Sequence, residues 1–256
     1  MKVPFVFYTH SSYSDVMNIQ CHYIKHILNK MLITDKFNDE NILKEFNKVF
    51  YYSDNEPYSQ RLYNFLCEIT DEYIILMHDN DILIEKDDNI LEKCINLMVD
   101  NNYDRIDFQV GGPNQLSHFE IVTIDDDKKY YLSRNNNQWN YIYNVNPSLW
   151  RVSTLKNILE NFPDYDYRSI ENTVVQDYCL YKDFKMFKLM GDDLISSSPF
   201  TVLTFFQYIH ITHNGNFLPI NNNSSEGIKK HYSNIVENFK LLEGNRKIDE
   251  YMMWGW

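Results

Sequence analysis

Two aspartates, Asp79 and Asp81, are separated by one residue and closely follow an apolar run, Tyr73 to Met77. Carboxylates at this spacing can point in the same direction if the backbone stays extended. Such a pair can hold a hard divalent cation and leave coordination positions open for phosphate oxygens. A polar turn followed by a helix cap is the structural alternative. The apolar run just before the pair favours the metal site.

The elements that must position these aspartates alternate between strands and helices. Apolar runs without a helical period predict strands over residues 3–8, 48–52 and 73–77, and a fourth strand is predicted over residues 106–110. Apolar residues at three- and four-residue steps predict helices over residues 16–31, from residue 57 to 69 and from residue 88 to 98. This alternation predicts a mostly parallel central sheet with helices on both faces, in which the strand over 73–77 is central.

Polar clusters follow three of these predicted strands, at 9–12, 54–55 and 79–81. In open α/β sheets, ligands bind at the carboxyl ends of the strands, near a switch in strand order. We therefore expect the three clusters to share one binding site.

The second half of the chain has a different pattern. Short strands, mixed in direction, are predicted over residues 121–124, 130–132, 141–145 and 205–211, and helices over residues 155–159, 171–181 and from residue 229 to 242. No linker or repeat separates the halves. We predict one α/β domain with a nucleotide-binding half (1–110), a smaller acceptor half (111–220) and a C-terminal helix and tail (221–256).

The charge balance argues against nucleic acid as the main partner. There are 24 basic and 36 acidic residues, which give a net charge of −12, whereas a protein that binds a phosphate backbone is expected to be basic. Small anionic ligands remain open, because a bound metal can reverse the local field.

The chain ends bear on localisation. The N-terminal apolar run is short and is interrupted by Pro4, and no stretch of about 18 apolar residues is present. A cytoplasmic protein without a transmembrane segment is therefore expected. The apolar end Tyr251 to Trp256 is expected to pack on the core, with contact to a membrane surface as the alternative. The oligomeric state stays open.

The sequence resembles the GT-A fold glycosyltransferases, which use nucleotide-sugar donors and a divalent metal. Asp79-Asn80-Asp81 matches their DxD motif, and the segment around Arg61 resembles their arginine-bearing helix. Asn146 to Arg151 resembles the turn before a helix in the acceptor half, and Glu171-Asn172 stands where many members carry Glu-Asp. The resemblance covers residues 1 to about 215, and only the DxD match is specific.

The resemblance implies a Rossmann-like GT-A fold and a Mn²⁺ or Mg²⁺ ion held by Asp79 and Asp81. A late histidine completes the metal shell in many members, which indicates His210 first and His213 second. Imidazole is a suitable ligand for Mn²⁺ beside carboxylates. A core or surface histidine is the alternative for each.

The resemblance also implies a donor site at the ends of the first two predicted strands. Family members hold the base and ribose there, which points to Thr9, His10, Ser11 and Asp54. An aspartate can accept hydrogen bonds from a base edge or from ribose hydroxyls. Arg61 could pair with either aspartate of the DxD motif or with a phosphate.

An inverting transferase needs a base that takes the proton of the acceptor hydroxyl. Glu171 is the first candidate, because it is predicted to open a helix whose dipole favours the carboxylate. Asp177 is the second, although it lies about 120° away on the same predicted helix. A base elsewhere, or a retaining enzyme, stays open.

Together these features predict a metal-dependent glycosyltransferase that moves a sugar from a UDP- or GDP-linked donor to a hydroxyl acceptor on a glycan or glycoconjugate, with inversion preferred. A non-catalytic sugar- or nucleotide-binding module on the same fold is one alternative. A sugar-1-phosphate nucleotidyltransferase is another, but residues 9–13 lack the glycine-rich loop and lysine usual in that class.

Overall fold

The computed structural model describes residues 3–110, 121–127, 130–134, 142–192, 194–197, 200–213, 215–219, 224–239 and 246–247. The strands are β1 Phe5–Tyr8, β2 Lys30–Thr34, β3 Lys48–Tyr51, β4 Tyr73–His78, β5 Asp81–Lys86, β6 Arg105–Val110, β7 Ile121–Asp125, β8 Tyr130–Arg134, β9 Ser148–Arg151, β10 Met186–Gly191, β11 Leu194–Ser197, β12 Phe200–Leu203, β13 Phe206–His210, β14 Thr212–His213 and β15 Asn216–Phe217. The helices are α1 Ser14–Tyr23, α2 Glu40–Leu43, α3 Tyr58–Glu68, α4 Asp88–Asn101, α5 Val152–Asn161, α6 Thr173–Tyr181 and α7 Glu226–Asn238.

A nine-stranded sheet with the order β3-β2-β1-β4-β9-β6-β10-β8-β7 organises the molecule. β3, β2, β1 and β4 are mutually parallel, whereas β9 runs antiparallel to both β4 and β6. On the acceptor side, β10 is parallel to β6, and β8 and β7 continue in antiparallel fashion. The predicted α/β class is confirmed, with the all-parallel part in the nucleotide half.

The central strands are buried on both faces, because alternate side chains enter two different cores. Phe5 and Phe7 of β1 pack in the core that contains residues of α1 and α4. Val6 and Tyr8 pack in the opposite core, which contains residues of α3 and α5. Helices therefore cover both faces of the sheet, as its apolar strands require.

The strand order reverses between β1 and β4. From β1 the chain proceeds outward through β2 to β3 and then returns to place β4 on the other side of β1. Tyr8 lies opposite His78 in this parallel pair. The loops that follow these two residues therefore meet at a topological switch point, where α/β sheets bind ligands.

The first predicted helix is wrong in its second half. α1 ends at Tyr23, and residues 30–34 form β2 instead. The helical spacing of apolar residues happens to continue through the turn, where Lys30 is buried and its Nζ donates to the Ile24 carbonyl at 3.1 Å. No glycine or proline marks this break.

Other parts of the fold also depart from the sequence pattern. β5 was not predicted, because its partner β13 lies far away in the sequence. Helix α5 does follow Asn146 to Arg151 as expected, but the last four residues of that segment form β9 in the centre of the sheet, which was not predicted. The described part of the predicted strand 141–145 is not a strand. Each outcome depends on pairing between distant segments, which local patterns do not encode.

The apolar end Tyr251 to Trp256 lies outside the described residues, so its packing stays a prediction. None of the helices in the described part of the chain has the length and apolarity that crossing a membrane requires.

Candidate functional site

A cavity of about 690 Å³ opens at the carboxyl ends of β1 and β4, at the switch point of the sheet. Its wall comes from five separate parts of the chain and combines aromatic, basic and acidic side chains: Tyr8, His10, Tyr13, Tyr52, Tyr58, Arg61, His78, Asp79, Asn80, Asp166, Tyr167, Arg168, Thr212 and His213. The predicted meeting of the polar clusters is therefore seen for His10 and Asp79, with Arg61 beside them.

Asp79 contributes a carboxylate to this wall. Its Oδ2 accepts hydrogen bonds from Thr9 Oγ1 at 2.8 Å and from the backbone N–H of His10 at 3.3 Å. Burial raises the pKa of Asp79 to about 6, although these hydrogen bonds favour the ionised form. Within the described residues, Oδ1 accepts no hydrogen bond, so one oxygen of the carboxylate is open to a ligand.

Asp81 has different surroundings. The chain turns at residues 79–80, so the extended backbone assumed for the pair is not observed. Asp81 begins β5, is 3% exposed, and its Oδ1 lies 2.9 Å from His210 Nδ1. Burial raises the pKa of Asp81, and His210 opposes this shift. His213, the second choice, lines the cavity, whereas His210 pairs with Asp81.

Asn80, the middle residue of the motif, carries a hydrogen-bond acceptor that has no partner among the described residues. Its Nδ2 donates to the Tyr167 hydroxyl at 3.3 Å. Its Oδ1 is buried and has no hydrogen-bond partner among the described residues. A buried amide oxygen without a partner is costly, and a bound cation or donor group would satisfy it.

One group of three potential metal ligands, His10, Asp35 and Asp54, places its ligand atoms within 4.8 Å of one another. His10 Nε2 lies 3.5 Å from Asp35 and 3.4 Å from Asp54. However, His10 Nδ1 accepts the backbone N–H of Ser12 at 3.0 Å, so the proton of the neutral ring is on Nε2. That nitrogen therefore carries its N–H beside the two carboxylates and is poorly suited to metal ligation.

Elsewhere in the residues the structure describes, no three such side chains come this close, and the predicted metal ligands Asp79, Asp81 and His210 are therefore not gathered to that distance.

Asp35 is a site residue that sequence reasoning missed. It directly follows β2 and accepts the backbone N–H and the hydroxyl of Ser11, each at 2.5 Å. These hydrogen bonds lower the pKa of Asp35 despite the opposing effect of burial. The sequence offers one indication of this residue, because Asp35 closely follows the apolar run 31–33. Using that indication would have required the run to be recognised as a strand.

Arg61 supports the neighbouring loop. Its Nε and Nη2 donate to the carbonyls of Glu56 and Asp54 at 2.6 and 2.7 Å, and its guanidinium lies 4.5 Å from the centroid of the Tyr52 ring. In the described structure it hydrogen-bonds these carbonyls and forms an ion pair with the Asp54 carboxylate at 3.7 Å, rather than with the aspartates of the DxD motif.

Aromatic side chains form the floor of the cavity. Tyr8 and Tyr52 stack with their centroids 5.4 Å apart and an angle of 9° between the rings. The Tyr58 hydroxyl lies 2.8 Å from His78 Nε2, and Tyr167 packs against the same imidazole with a centroid distance of 5.0 Å. Burial lowers the pKa of His78 to about 3, so this ring is neutral at physiological pH.

Glu171 lies outside helix α6, which begins at Thr173 with Asn172 as its cap. The Glu171 Oε1 accepts the backbone N–H of Val145 at 2.7 Å. Burial raises the pKa of Glu171, so the expected helix-dipole effect, which favours the ionised form, does not dominate. Asp177 is exposed on α6, and neither acid is part of the described cavity wall.

A buried polar network holds the segment that contacts Glu171. Arg105, 1% exposed, donates through Nη1 to the Ile142 carbonyl at 2.8 Å and through Nη2 to Ser148 Oγ at 2.7 Å. Asp107 is fully buried and accepts from Asn144 Nδ2 at 2.6 Å. The network therefore fixes residues 142–148 and, with them, the backbone N–H that orients Glu171.

No protein-family model matches the sequence, and no curated protein sequence matches it. Solved structures that this chain is similar to include S. aureus TarS, with 15% identity and a TM-score of 0.40 over 68% of this chain and 34% of that chain. A cytidylyltransferase from Leptospira borgpetersenii has 14% identity and a TM-score of 0.48 over 98% of this chain and all of that chain.

The TarS 1–349 fragment in complex with UDP-GlcNAc has 13% identity and a TM-score of 0.42 over 73% of this chain and 58% of that chain. The matched part of this chain thus spans about a third of TarS. None of these likenesses assigns the chain to a family.

Proposed function

We propose that this protein is a metal-dependent glycosyltransferase that moves a sugar from a nucleotide-diphosphate sugar to a hydroxyl group of a glycan or glycoconjugate. The observation that carries this proposal is the cavity at the switch point of the sheet, with Asp79 in its wall. An aromatic floor next to open carboxylate and amide oxygens suits a nucleotide whose phosphates are held by a cation.

A Mn²⁺ or Mg²⁺ ion fits the chemistry of the open groups. Asp79 Oδ1 and Asn80 Oδ1 are oxygen ligands of the kind that these ions prefer. Among the described residues, the hydrogen bonds to Asp79 go to its other oxygen, and Asn80 Oδ1 is buried without a partner. We propose Asp79 as the ligand that faces the cavity. Asp81 and His210 lie behind it and would join the shell after separating from each other. When bound, the ion would act as a Lewis acid toward the leaving diphosphate.

The donor nucleoside is proposed to occupy the side of the cavity formed after β1, with UDP or GDP as the diphosphate. Tyr8 and Tyr52 offer an aromatic surface. His10 Nε2–H and the Asp54 carboxylate offer a donor and an acceptor for a base edge or ribose hydroxyl. Thr9 and Ser11 would contribute indirectly, because their hydroxyls donate hydrogen bonds that orient Asp79 and Asp35.

Glu171 is proposed as the general base of an inverting transfer. One carboxylate oxygen holds the Val145 N–H, which leaves the other to accept the proton of the acceptor hydroxyl. The acceptor oxygen then bonds to the anomeric carbon while the bond from that carbon to the diphosphate breaks. A pKa raised by burial brings this acid closer to the neutral range, where a general base works best.

The test is turnover by the purified chain with Mn²⁺, a panel of UDP-, GDP-, CMP- and dTDP-sugars, and mixed saccharide acceptors. Release of the free nucleotide that depends on acceptor and is abolished in Asp79→Asn would support the proposal. Pyrophosphate release from a nucleoside triphosphate and a sugar 1-phosphate would instead identify a nucleotidyltransferase. Nucleotide binding without either reaction would identify a non-catalytic module.

A further inference from the structure

Arg246 joins parts of the molecule that are far apart in sequence. Its Nε donates to Asp15 Oδ2 at 2.6 Å, its Nη1 to the Gly215 carbonyl at 2.8 Å, and its Nη2 to the Ser12 carbonyl. The guanidinium also covers the Tyr13 ring, 4.2 Å from its centroid. A planar fork of donors is suited to holding several acceptors at fixed angles, and its flat face suits an aromatic ring.

The segments that Arg246 joins form two walls of the cavity. On one side, Tyr13 lines the cavity in the same loop as His10, whose backbone N–H donates to Asp79. On the other side, Thr212 and His213 line the cavity from β14. β14 pairs with β15 in the hairpin that contains the Gly215 carbonyl. Arg246 therefore bridges, just outside the cavity, the loop after β1 (residues 9–13, here called the β1 loop) and the β14–β15 hairpin.

The backbone beside Arg246 is itself anchored to the hairpin. The Lys247 carbonyl accepts the backbone N–H of Phe217 at 2.9 Å. Phe217 is 1% exposed and belongs to a core cluster with residues of β5, β13 and α7. Gly215, whose carbonyl accepts from the guanidinium, has φ +81°, a backbone conformation that residues with a Cβ rarely adopt. Arg246 is therefore held on the hairpin side and reaches across to the β1 loop.

We propose that Arg246 is a positioning residue for the nucleotide cavity, so that residues 246–247 are a component of the site. This inference rests on the proposed function, because it assigns the two bridged walls to donor binding. Without the guanidinium, residues 12–15, which lead from the loop after β1 into α1, lose a charged partner at Asp15, a donor to the Ser12 carbonyl and the cover of Tyr13. The walls then separate more easily, and a ligand must spend binding energy to bring them together.

The experiment uses the full chain with Arg246→Ala, Arg246→Lys and a control, Arg134→Ala. Arg134 is on β8, near the opposite edge of the sheet, and donates to Asp183 at 2.6 Å. Calorimetry with UDP and with GDP, each with Mn²⁺, measures affinity. Hydrogen–deuterium exchange compares residues 10–15 and 215–217 with the β4 core strand.

Arg246→Ala is expected to weaken nucleotide binding by about tenfold or more, the effect of losing roughly one charge-assisted hydrogen bond. Exchange should rise in both bridged segments and stay unchanged in β4, which separates positioning from a loss of global stability. Lysine should restore only part of the affinity, because an ammonium group lacks the planar fork. The control should match the wild type.

Unchanged affinity in Arg246→Ala, full rescue by lysine, or increased exchange in β4 to the same extent would overturn the proposal. If the wild-type protein binds neither nucleotide, the UDP or GDP donor of the proposed function fails. The exchange data then decide the positioning role alone: a rise confined to both bridged segments supports it, and no rise rejects it.

Discussion

Charged side chains are buried in two parts of this molecule, and their surroundings differ. On β6, Arg105 and Asp107 lie 3.5 Å apart and are hydrogen-bonded on several sides by backbone and side-chain partners. At the cavity, Asp79 receives both of its described hydrogen bonds on one oxygen, and the neighbouring Asn80 Oδ1 has no partner in the described structure.

The difference separates a structural role from a binding role. A buried charge with a complete set of partners fixes the segments that supply those partners. A buried carboxylate with partners on one side carries an unfavourable free energy that a cation can offset. The cavity edge, rather than the more deeply buried network, is therefore the place where a ligand is expected.

The largest effect on stability is expected from breaking the closed network with Arg105→Met. The substitution removes the guanidinium that lies 3.5 Å from Asp107, which is fully buried. Loss of one partner of a buried ion pair costs about 3 to 5 kcal/mol. Urea unfolding followed by circular dichroism should show this decrease in the free energy of unfolding. A decrease below about 1 kcal/mol would remove the distinction between the two regions.

The next largest effect is expected on catalysis, from Glu171→Gln. The amide oxygen can still accept the Val145 N–H, so the fold should persist. Loss of a general base lowers the rate by about a hundredfold or more. Initial rates of nucleotide release measure this effect.

Asp177→Asn is the matched control for this experiment, because Asp177 is an exposed acid on the following helix. Its rate should equal that of the wild type. Equal losses in the two variants would reject Glu171 as the base. The wild-type rate should rise with pH through the pKa of Glu171, which burial places above its usual value.

A stabilising effect is expected from Asp79→Asn in metal-free buffer. The pKa of Asp79 rises from 3.8 to about 6 on folding, so ionisation opposes folding above that range. Relative to the variant, the wild type is therefore most stable below pH 4, and it loses this relative stability as the pH rises through 6. At pH 7 the variant should be more stable by about 1 to 3 kcal/mol. Urea unfolding at pH 4 and pH 7 with a chelator measures the difference in the free energy of unfolding between the two proteins. A variant whose advantage is larger at pH 4 than at pH 7 would contradict a raised pKa for Asp79.

The smallest effect is expected at a surface ion pair, in which the side chain of Arg134 is 23% exposed and that of Asp183 is 85% exposed. Arg134→Ala should change the free energy of unfolding by less than about 1 kcal/mol, because solvent screens such pairs. Thermal unfolding at low and high salt checks this value. A loss comparable with that of Arg105→Met would show that burial does not distinguish the two pairs.

The parts of the fold that local patterns encode could be predicted from the sequence. β4 is a continuous apolar run, β6 alternates polar and apolar residues, and the cap of α4 at Asp87 follows from its side chain. β5 and β9 could not be predicted, because each is defined by partners far away in the chain. The missed β2 also hid Asp35 from the set of candidate residues.

The candidate site shows the same limit. Asp79 and His10 could be found because they directly follow strands at the switch point. Tyr167, Thr212 and Arg246 reach the cavity or its rim only through tertiary packing. The separate surroundings of Asp79 and Asp81 arise from a turn at residues 79–80, whereas a shared direction for the two carboxylates required an extended backbone.

We propose that the unpaired oxygens of Asp79 and Asn80 at the cavity hold a cation that binds a nucleotide diphosphate. The most direct test is the thermal shift of the wild-type protein and of Asp79→Asn with UDP, GDP, CMP or dTDP, each with and without Mn²⁺. A ligand that binds only the folded state raises the melting temperature by mass action. We predict that one diphosphate stabilises the wild type only with Mn²⁺ and leaves Asp79→Asn unchanged; equal shifts in both proteins, or none in a wild type that melts cooperatively, would contradict the claim.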